Sequence, residues 1–159
     1  MKIPYPLFVL GIIFLSFVAC KKDNENNCRS VEYVASQTEV VELKNYLEDN
    51  AIEAEYDERG FYYIILKEGT GKTPHQCSKI KIDYEGKLTN NHVFDAANAI
   101  SFPLENLIMG WRMGLPLLKE GGEMILYLPP SLAYGARAQG DIPANSILIF
   151  KINLIEVQN

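Results

Sequence analysis

The stretch Leu107-Ile108-Met109-Gly110-Trp111 holds the only tryptophan of the chain. Two aliphatic side chains lead through a glycine, which allows a close backbone approach because it has no Cβ. The indole that follows offers a large, flat, apolar face. The stretch therefore predicts either a tryptophan that fills a core or the floor of a small apolar cleft, and its surroundings must distinguish the two.

The segments around this stretch predict strands. Runs of β-branched and aromatic residues, or alternation of apolar with polar residues, mark strands at residues 61–66, 80–84, 124–128 and 147–157. Within this part only residues 109–115 have a helical pattern, and Pro116 keeps that helix short because proline has no amide N–H. Several strands with one short helix indicate an α+β fold built on an antiparallel sheet.

A second helix is predicted before the sheet, over Gln37–Asp49. The run Ser36-Gln37-Thr38-Glu39 has the form of a capping box, in which the first and last side chains bind each other's backbone N–H groups. Val40, Leu43 and Leu47 follow at helical spacing and form an apolar stripe. Since so short a helix is marginal alone, we expect the stripe to dock on the domain as a stabilising extension, or on a partner protein.

Composition excludes several functional classes. The 159 residues are 48% hydrophobic, which is typical of a globular domain, and the net charge is -5 without a dense basic run, which argues against nucleic acid as a partner. The two histidines, His75 and His92, belong to no close Cys/His cluster or nucleophile pattern. We therefore expect no metal, no cofactor and no covalent chemistry.

The N-terminus predicts export. Lys2 precedes an apolar run over residues 7–19, which ends in Phe17-Val18-Ala19-Cys20 and resembles the lipobox of bacterial lipoproteins. We expect residues 1–19 to be a signal peptide and Cys20 to carry the lipid. The lipid would anchor the protein to a membrane of the bacterial cell envelope, as an outer-membrane lipoprotein facing the periplasm or the cell surface. A plain cleaved signal peptide is the alternative.

The mature chain would then have three parts. Residues 20–35 are predicted to be a flexible spacer that follows the lipidated cysteine, residues 36–55 a helical extension, and residues 56–159 the main domain. In an oxidising compartment Cys28 and Cys77 are able to pair, but the sequence leaves open whether they do.

Aromatic residues recur among glycines and prolines along the domain. In order, the motifs are Tyr84-Glu85-Gly86-Lys87-Leu88, Val93-Phe94-Asp95, Phe102-Pro103-Leu104, the tryptophan stretch, Ala133-Tyr134-Gly135-Ala136, Ile142-Pro143-Ala144-Asn145-Ser146 and Leu148-Ile149-Phe150. Taken together, they resemble the FKBP-type peptidyl-prolyl cis-trans isomerases across residues 60–157. The resemblance implies an antiparallel sheet of about five strands wrapped around one short helix, with the active cleft between them.

The resemblance also implies site residues. The catalytic set would be Tyr84, Phe94, Asp95, Trp111, Tyr134 and Phe150. The tryptophan would form the floor, the first tyrosine and both phenylalanines the walls, and the aspartate a polar end linked to that tyrosine. The hydroxyl of Tyr134 would meet the substrate carbonyl.

Four further residues would bind substrate. Leu107 and Ile108 would form a lip, where a backbone N–H donates to the substrate, and Ile142 would close one side. Ile100 stands where some members of the family carry an aromatic residue. Phe102, in contrast, we expect to be mainly structural.

The implied activity is isomerisation of X-Pro bonds in exported proteins, which assists their folding at the cell envelope. Its partners would be proline-containing unfolded or exported polypeptides, and FK506-like macrolides would be ligands of the same cleft. A proline-binding, chaperone-like lipoprotein with little isomerase activity is the alternative. A third hypothesis is a structural lipoprotein whose N-terminal helix is its partner surface.

Overall fold

The structure, a computed structural model, describes residue 1 and residues 32–159. The predicted signal peptide, the lipidation site Cys20 and Cys28 lie outside the described residues. Cys77 is disulfide-bonded, and pairing with Cys28 is the possibility that the sequence left open. None of the helices in the described part is long and apolar enough to cross a membrane.

A single antiparallel sheet organises the described chain. Its six strands are β1 (Glu55–Asp57), β2 (Phe61–Lys67), β3 (Lys79–Leu88), β4 (Val93–Pro103), β5 (Glu123–Leu128) and β6 (Leu148–Gln158). Their order in the sheet is β1-β2-β5-β6-β3-β4. The α+β class is confirmed, with six strands where about five were expected.

The helix α2 (Met109–Gly114) lies against the inner face of this sheet, and two glycines allow its close approach. A Cβ built on Gly110 would come within 2.3 Å of the Leu128 side chain, and one on Gly114 within 2.8 Å of Leu126. Pro116 follows in a 3-10 turn (Leu115–Leu117), so the helix is as short as predicted. The glycine spacing therefore brings α2, which carries Trp111, close against β5.

The sheet is apolar on both faces. Along β6, Leu148, Phe150 and Ile152 are buried in the main core, whereas Ile149 belongs to a second cluster on the outer face. The helix α1 (Gln37–Asp49) supplies the cover for that cluster through Leu43 and Leu47. Docking of the helix stripe on the domain is confirmed, with the bounds that the sequence predicted.

The predicted capping box forms only in part. The Oγ of Ser36 accepts the backbone N–H of Glu39 at 3.3 Å, as expected. The Glu39 carboxyl group does not return to Ser36. It accepts instead from the backbone N–H of Ser131 at 3.1 Å and from the Ser131 hydroxyl. A tertiary contact has replaced the local one.

The strands β1 and β4 were not predicted. With only three residues, β1 is too short for a periodic signal. In β4 the register with β3 shifts twice, and Ala99 has a left-handed φ of 51°. Asp83 supports this irregularity, since its carboxyl oxygens accept the Ala99 N–H at 2.8 Å and the Asn153 side chain at 3.0 Å.

Candidate active site

An apolar cleft of about 200 Å³ opens between α2 and the strands β3, β4 and β6. Its lining residues are Tyr84, Phe94, Asp95, Phe102, Leu107, Ile108, Trp111, Tyr134 and Phe150. The structure thus brings together all six residues expected to be catalytic and two of the four expected to bind substrate.

Trp111 forms the floor of the cleft within an aromatic framework. Its side chain is only 4% exposed, yet it borders the open space. The ring of Tyr84 stands at 83° to the indole with centroids 5.2 Å apart, and that of Phe150 at 88° and 5.1 Å. Phe94 meets Phe150 at 86° and 5.7 Å. Such edge-to-face packing fixes the walls relative to the floor.

The indole N–H of Trp111 is buried and has no hydrogen-bond partner among the described residues. Buried polar groups normally find a partner, so this one is an exception. The aromatic rings around the indole leave the floor of the cleft apolar.

Gly86 on β3 makes room for the two phenylalanine walls. It pairs with Asp95 on β4 and with Phe150 on β6. A Cβ at this position would come within 2.6 Å of Phe94 and 2.8 Å of Phe150. Sequence reasoning did not single out this residue as part of the site, although a glycine inside a strand is itself a signal that another group approaches closely.

At the polar end of the cleft, two side chains form a hydrogen bond. The Tyr84 hydroxyl donates to Oδ2 of Asp95 at 2.5 Å, as the resemblance implied. Burial, and then this hydrogen bond, raise the pKa of Tyr84 above its usual value. The hydroxyl therefore stays protonated and is engaged by Asp95.

Besides the buried indole N–H of Trp111, two hydrogen-bond donors at the rim of the cleft have no partner among residues 32–159. The Tyr134 side chain is 37% exposed, and its hydroxyl makes no bond within the described chain. The backbone N–H of Ile108, the residue that caps α2, likewise donates to no described acceptor. Burial, and then the charge of Asp95, raise the pKa of Tyr134. The cleft therefore combines apolar walls with two available donors at its rim.

The other two residues predicted to bind substrate, Ile142 and Ile100, lie outside the cleft. Ile142, which is 5% exposed, borders an adjoining hollow of about 320 Å³ that shares Phe94, Asp95 and Tyr134 with the cleft. Ile100 lines neither space. It is half-buried on β4, packs against the core and pairs with Ile82.

Phe102 lines the cleft where Ile100 does not. The expectation that Phe102 is mainly structural thus missed a wall of the site. Both side chains lie on the same face of β4, but Phe102 is two residues closer to the 3-10 turn (Leu104–Asn106) that leads to Leu107. Alternation places the two side chains on one face and does not distinguish them, whereas the shorter chain distance from Phe102 to Leu107 does.

Chemically, the cleft is an aromatic box with two donors at its rim. Among residues 1 and 32–159, no group of three or more His, Cys, Asp or Glu side chains is placed to hold a metal ion. The arrangement can enclose a small apolar ring and hold a carbonyl oxygen next to it.

Comparisons with known proteins all indicate one family. The family description "FKBP-type peptidyl-prolyl cis-trans isomerase" matches residues 70–155. A probable FkpA of this type from Neisseria meningitidis is 41% identical over 103 residues, which cover 62% of this chain and 38% of that protein. The isomerase Mip of Coxiella burnetii is 40% identical over 104 residues, covering 62% and 45%.

A solved structure shows the same architecture. The crystal structure of FkpA from Escherichia coli superposes with a TM-score of 0.69 at 33% identity, over 76% of this chain and 60% of that one. This chain therefore spans only part of the length of these relatives. The match over residues 70–155 covers more than half of the chain and every lining residue of the cleft. The chain belongs to the FKBP-type peptidyl-prolyl cis-trans isomerase family.

Proposed function

We propose that this protein is a peptidyl-prolyl cis-trans isomerase that rotates X-Pro bonds without covalent chemistry. The observation that carries the proposal is the placement of two free donors, the Tyr134 hydroxyl and the Ile108 N–H, beside an aromatic cleft floored by Trp111. Family membership supports the same conclusion.

The physical basis is the resonance of the amide. Its rotation barrier of about 18–20 kcal/mol arises because the nitrogen lone pair is delocalised into the carbonyl. In the twisted transition state this resonance is lost, and the amide becomes less dipolar. An apolar cleft destabilises the planar amide more than the twisted one, so it binds the transition state more tightly.

Each part of the cleft has a role in this scheme. The proline ring would lie on Trp111, between the walls formed by Phe94 and Phe150. The hydroxyl of Tyr134 and the N–H of Ile108 would hold carbonyl oxygens on the two sides of the rotating bond. Because the Tyr84 hydroxyl is bound to Asp95, it would shape the polar end and would not compete for the substrate.

The test is the cis/trans exchange of a Leu-Pro or Phe-Pro peptide, measured by NMR or by coupled proteolysis. We expect Tyr134→Phe to lower kcat/KM modestly, and Trp111→Ala or Phe94→Ala to lower it more. Wild-type rates in all three variants would refute the assignment of the site. Binding of the peptide without any rate above background would favour the proline-binding, chaperone-like alternative.

The same cleft is proposed to bind FK506-like macrolides, since its aromatic walls can enclose an apolar ring and its rim offers donors to carbonyl groups. Titration with FK506 should change the fluorescence of the single tryptophan and inhibit peptide exchange. Unchanged fluorescence and activity at saturating macrolide would contradict this.

We further propose that the substrates are exported polypeptides and that Cys20 holds the protein at the envelope. The apolar run before Cys20 is what supports this. Wild-type protein should fractionate with membranes and incorporate labelled fatty acid. Cys20→Ser should do neither, and membrane association without label in both proteins would contradict the lipid anchor.

A further inference from the structure

The side chain of Glu39 joins α1 to the segment that carries Tyr134. One carboxyl oxygen, Oε2, accepts both the backbone N–H of Ser131 at 3.1 Å and the Ser131 hydroxyl. Ser131 lies in a 3-10 turn (Pro130–Leu132), three residues before Tyr134. The backbone N–H groups at the start of such a turn have no partner within it, so Glu39 satisfies one of them.

The segment from Ser131 to Tyr134 is short and constrained, so a change at its start reaches its end. The carbonyl of Pro130 accepts the N–H groups of both Ala133, at 2.9 Å, and Gly135, at 2.8 Å. Leu132, which lies between Pro130 and Ala133 in the sequence, is fully buried in the main core. These contacts make residues 130–135 a compact unit.

The helix that provides Glu39 is itself fixed. Leu43 and Leu47 are buried in the outer-face cluster. At its N-terminus, the Ala35 N–H donates to the Arg59 carbonyl at 2.9 Å. Gly60 lies so close that a Cβ there would come within 2.7 Å of Ala35. Glu39 is therefore an acceptor on a docked helix and not a mobile surface group.

The hydroxyl of Tyr134, in contrast, has no hydrogen bond to any described residue. Its place at the cleft depends on the backbone of residues 130–135. We propose that Glu39 is a positioning residue that, through Ser131, holds the hydroxyl of Tyr134 at the mouth of the cleft. The expected effect on catalysis rests on the proposed isomerase function. The effect of Glu39 on the position of Tyr134 does not, and it can be measured separately.

The experiment compares Glu39→Ala, Glu39→Gln and Glu42→Ala in the full chain. Glu42 is exposed on the same helix, so its removal is a control for loss of one negative charge from α1. The first readout is the NMR resonances of the Tyr134 ring, assigned with Tyr134→Phe. The second is kcat and KM for a Leu-Pro peptide at a temperature where all variants are folded.

We expect Glu39→Ala to shift the Tyr134 resonances and to lower kcat/KM by about three- to ten-fold, less than the ~100-fold that a 1 Å misplacement can cost. Glu39→Gln keeps an oxygen acceptor and should recover most of the loss, while Glu42→Ala should change neither readout. Should Glu39→Ala not fold, Ser131→Ala removes the hydroxyl part of the contact and is expected to shift the same resonances.

The proposal would be overturned if a folded Glu39→Ala variant kept the wild-type Tyr134 resonances and kcat, even if that variant melted at a lower temperature. An inactive wild-type protein would refute the proposed function. The Tyr134 resonances would still decide, in that case, whether Glu39 positions the tyrosine.

Discussion

The substitution Gly86→Ala tests whether the missing Cβ of Gly86 determines the positions of the two cleft walls, Phe94 and Phe150. An added Cβ would stand 2.6 Å from Phe94 and 2.8 Å from Phe150, whereas ordinary contact begins at 3.4 Å. The added Cβ must therefore gain about 0.8 Å from Phe94 and about 0.6 Å from Phe150, the differences between 3.4 Å and these two distances. Phe150 is 4% exposed and held between Trp111 and Phe94, so we expect Phe94, which is half-buried on an edge strand, to move into the cleft.

The expected cost is larger for catalysis than for stability. Overpacking of this kind destabilises a protein by about 1–3 kcal/mol. A shift approaching 1 Å in a group that positions substrate can lower the rate by about 100-fold, so we expect kcat/KM to fall by ~10- to 100-fold. Peptide exchange by NMR measures the rate, and thermal or urea unfolding measures the stability.

Gly71→Ala is the matched control. A Cβ there would come within 2.7 Å of Glu120, so the local crowding is similar, but neither residue lines the cleft. This variant should lose stability and keep its kcat/KM. A folded Gly86→Ala variant with wild-type kcat/KM and unchanged Phe94 ring resonances would show that the glycine does not set the walls.

Three further predictions follow from the same contacts. Trp111→Phe should retain more activity than Trp111→Ala in the peptide exchange assay, because a smaller aromatic floor remains; equal loss in both would mean that the flat surface is not what matters. Burial first, and then the bond to Asp95, raise the pKa of Tyr84, so the unfolded state loses its phenol proton first as pH rises. The free energy of unfolding should therefore fall above about pH 10, and less steeply in Tyr84→Phe; identical pH profiles would exclude this linkage. Leu43→Ala removes a fully buried side chain from the cluster under α1 and should cost about 2–5 kcal/mol in urea unfolding, whereas Val41→Ala, at an exposed position, should cost little.

Periodicity in the sequence predicted the elements that bury one continuous face. The helix α1 has the predicted bounds because Val40, Leu43 and Leu47 repeat at helical spacing and dock as a stripe. The strand β6 was predicted because apolar and polar residues alternate over its middle, from Phe150 to Leu154, although the pattern shifts at Ile155 and Glu156. In these elements local pattern and tertiary burial agree.

Prediction failed where the chain departs from regular geometry or where a side chain acts at long range. In β4, two register shifts and the left-handed Ala99 interrupt the alternation, so the strand was not predicted. Ile100 was assigned to the site from the family resemblance but does not line it, whereas Phe102 does. The capping pattern at Glu39 was correct for Ser36, but the carboxyl group bonds to Ser131, 92 residues away. No local pattern contains such a contact.

The cleft residues were predicted from the family resemblance and not from periodicity. Tyr84, Trp111, Tyr134 and Phe150 are far apart in the sequence, and only their resemblance to a family motif placed them together before the fold was known. The edge-to-face contacts of Trp111 with Tyr84 and with Phe150 explain physically why these three rings lie together, because the indole limits where each of the other two can lie.

The most direct test of the central claim is the exchange rate of a Leu-Pro peptide, measured by NMR with the purified protein in H₂O and in D₂O. A twisted amide held in an apolar cleft needs no proton transfer, so we expect exchange far above the uncatalysed rate, a solvent isotope effect close to one, and loss of catalysis in Trp111→Ala. Exchange at the uncatalysed rate, or catalysis that Trp111→Ala leaves intact, would contradict the account.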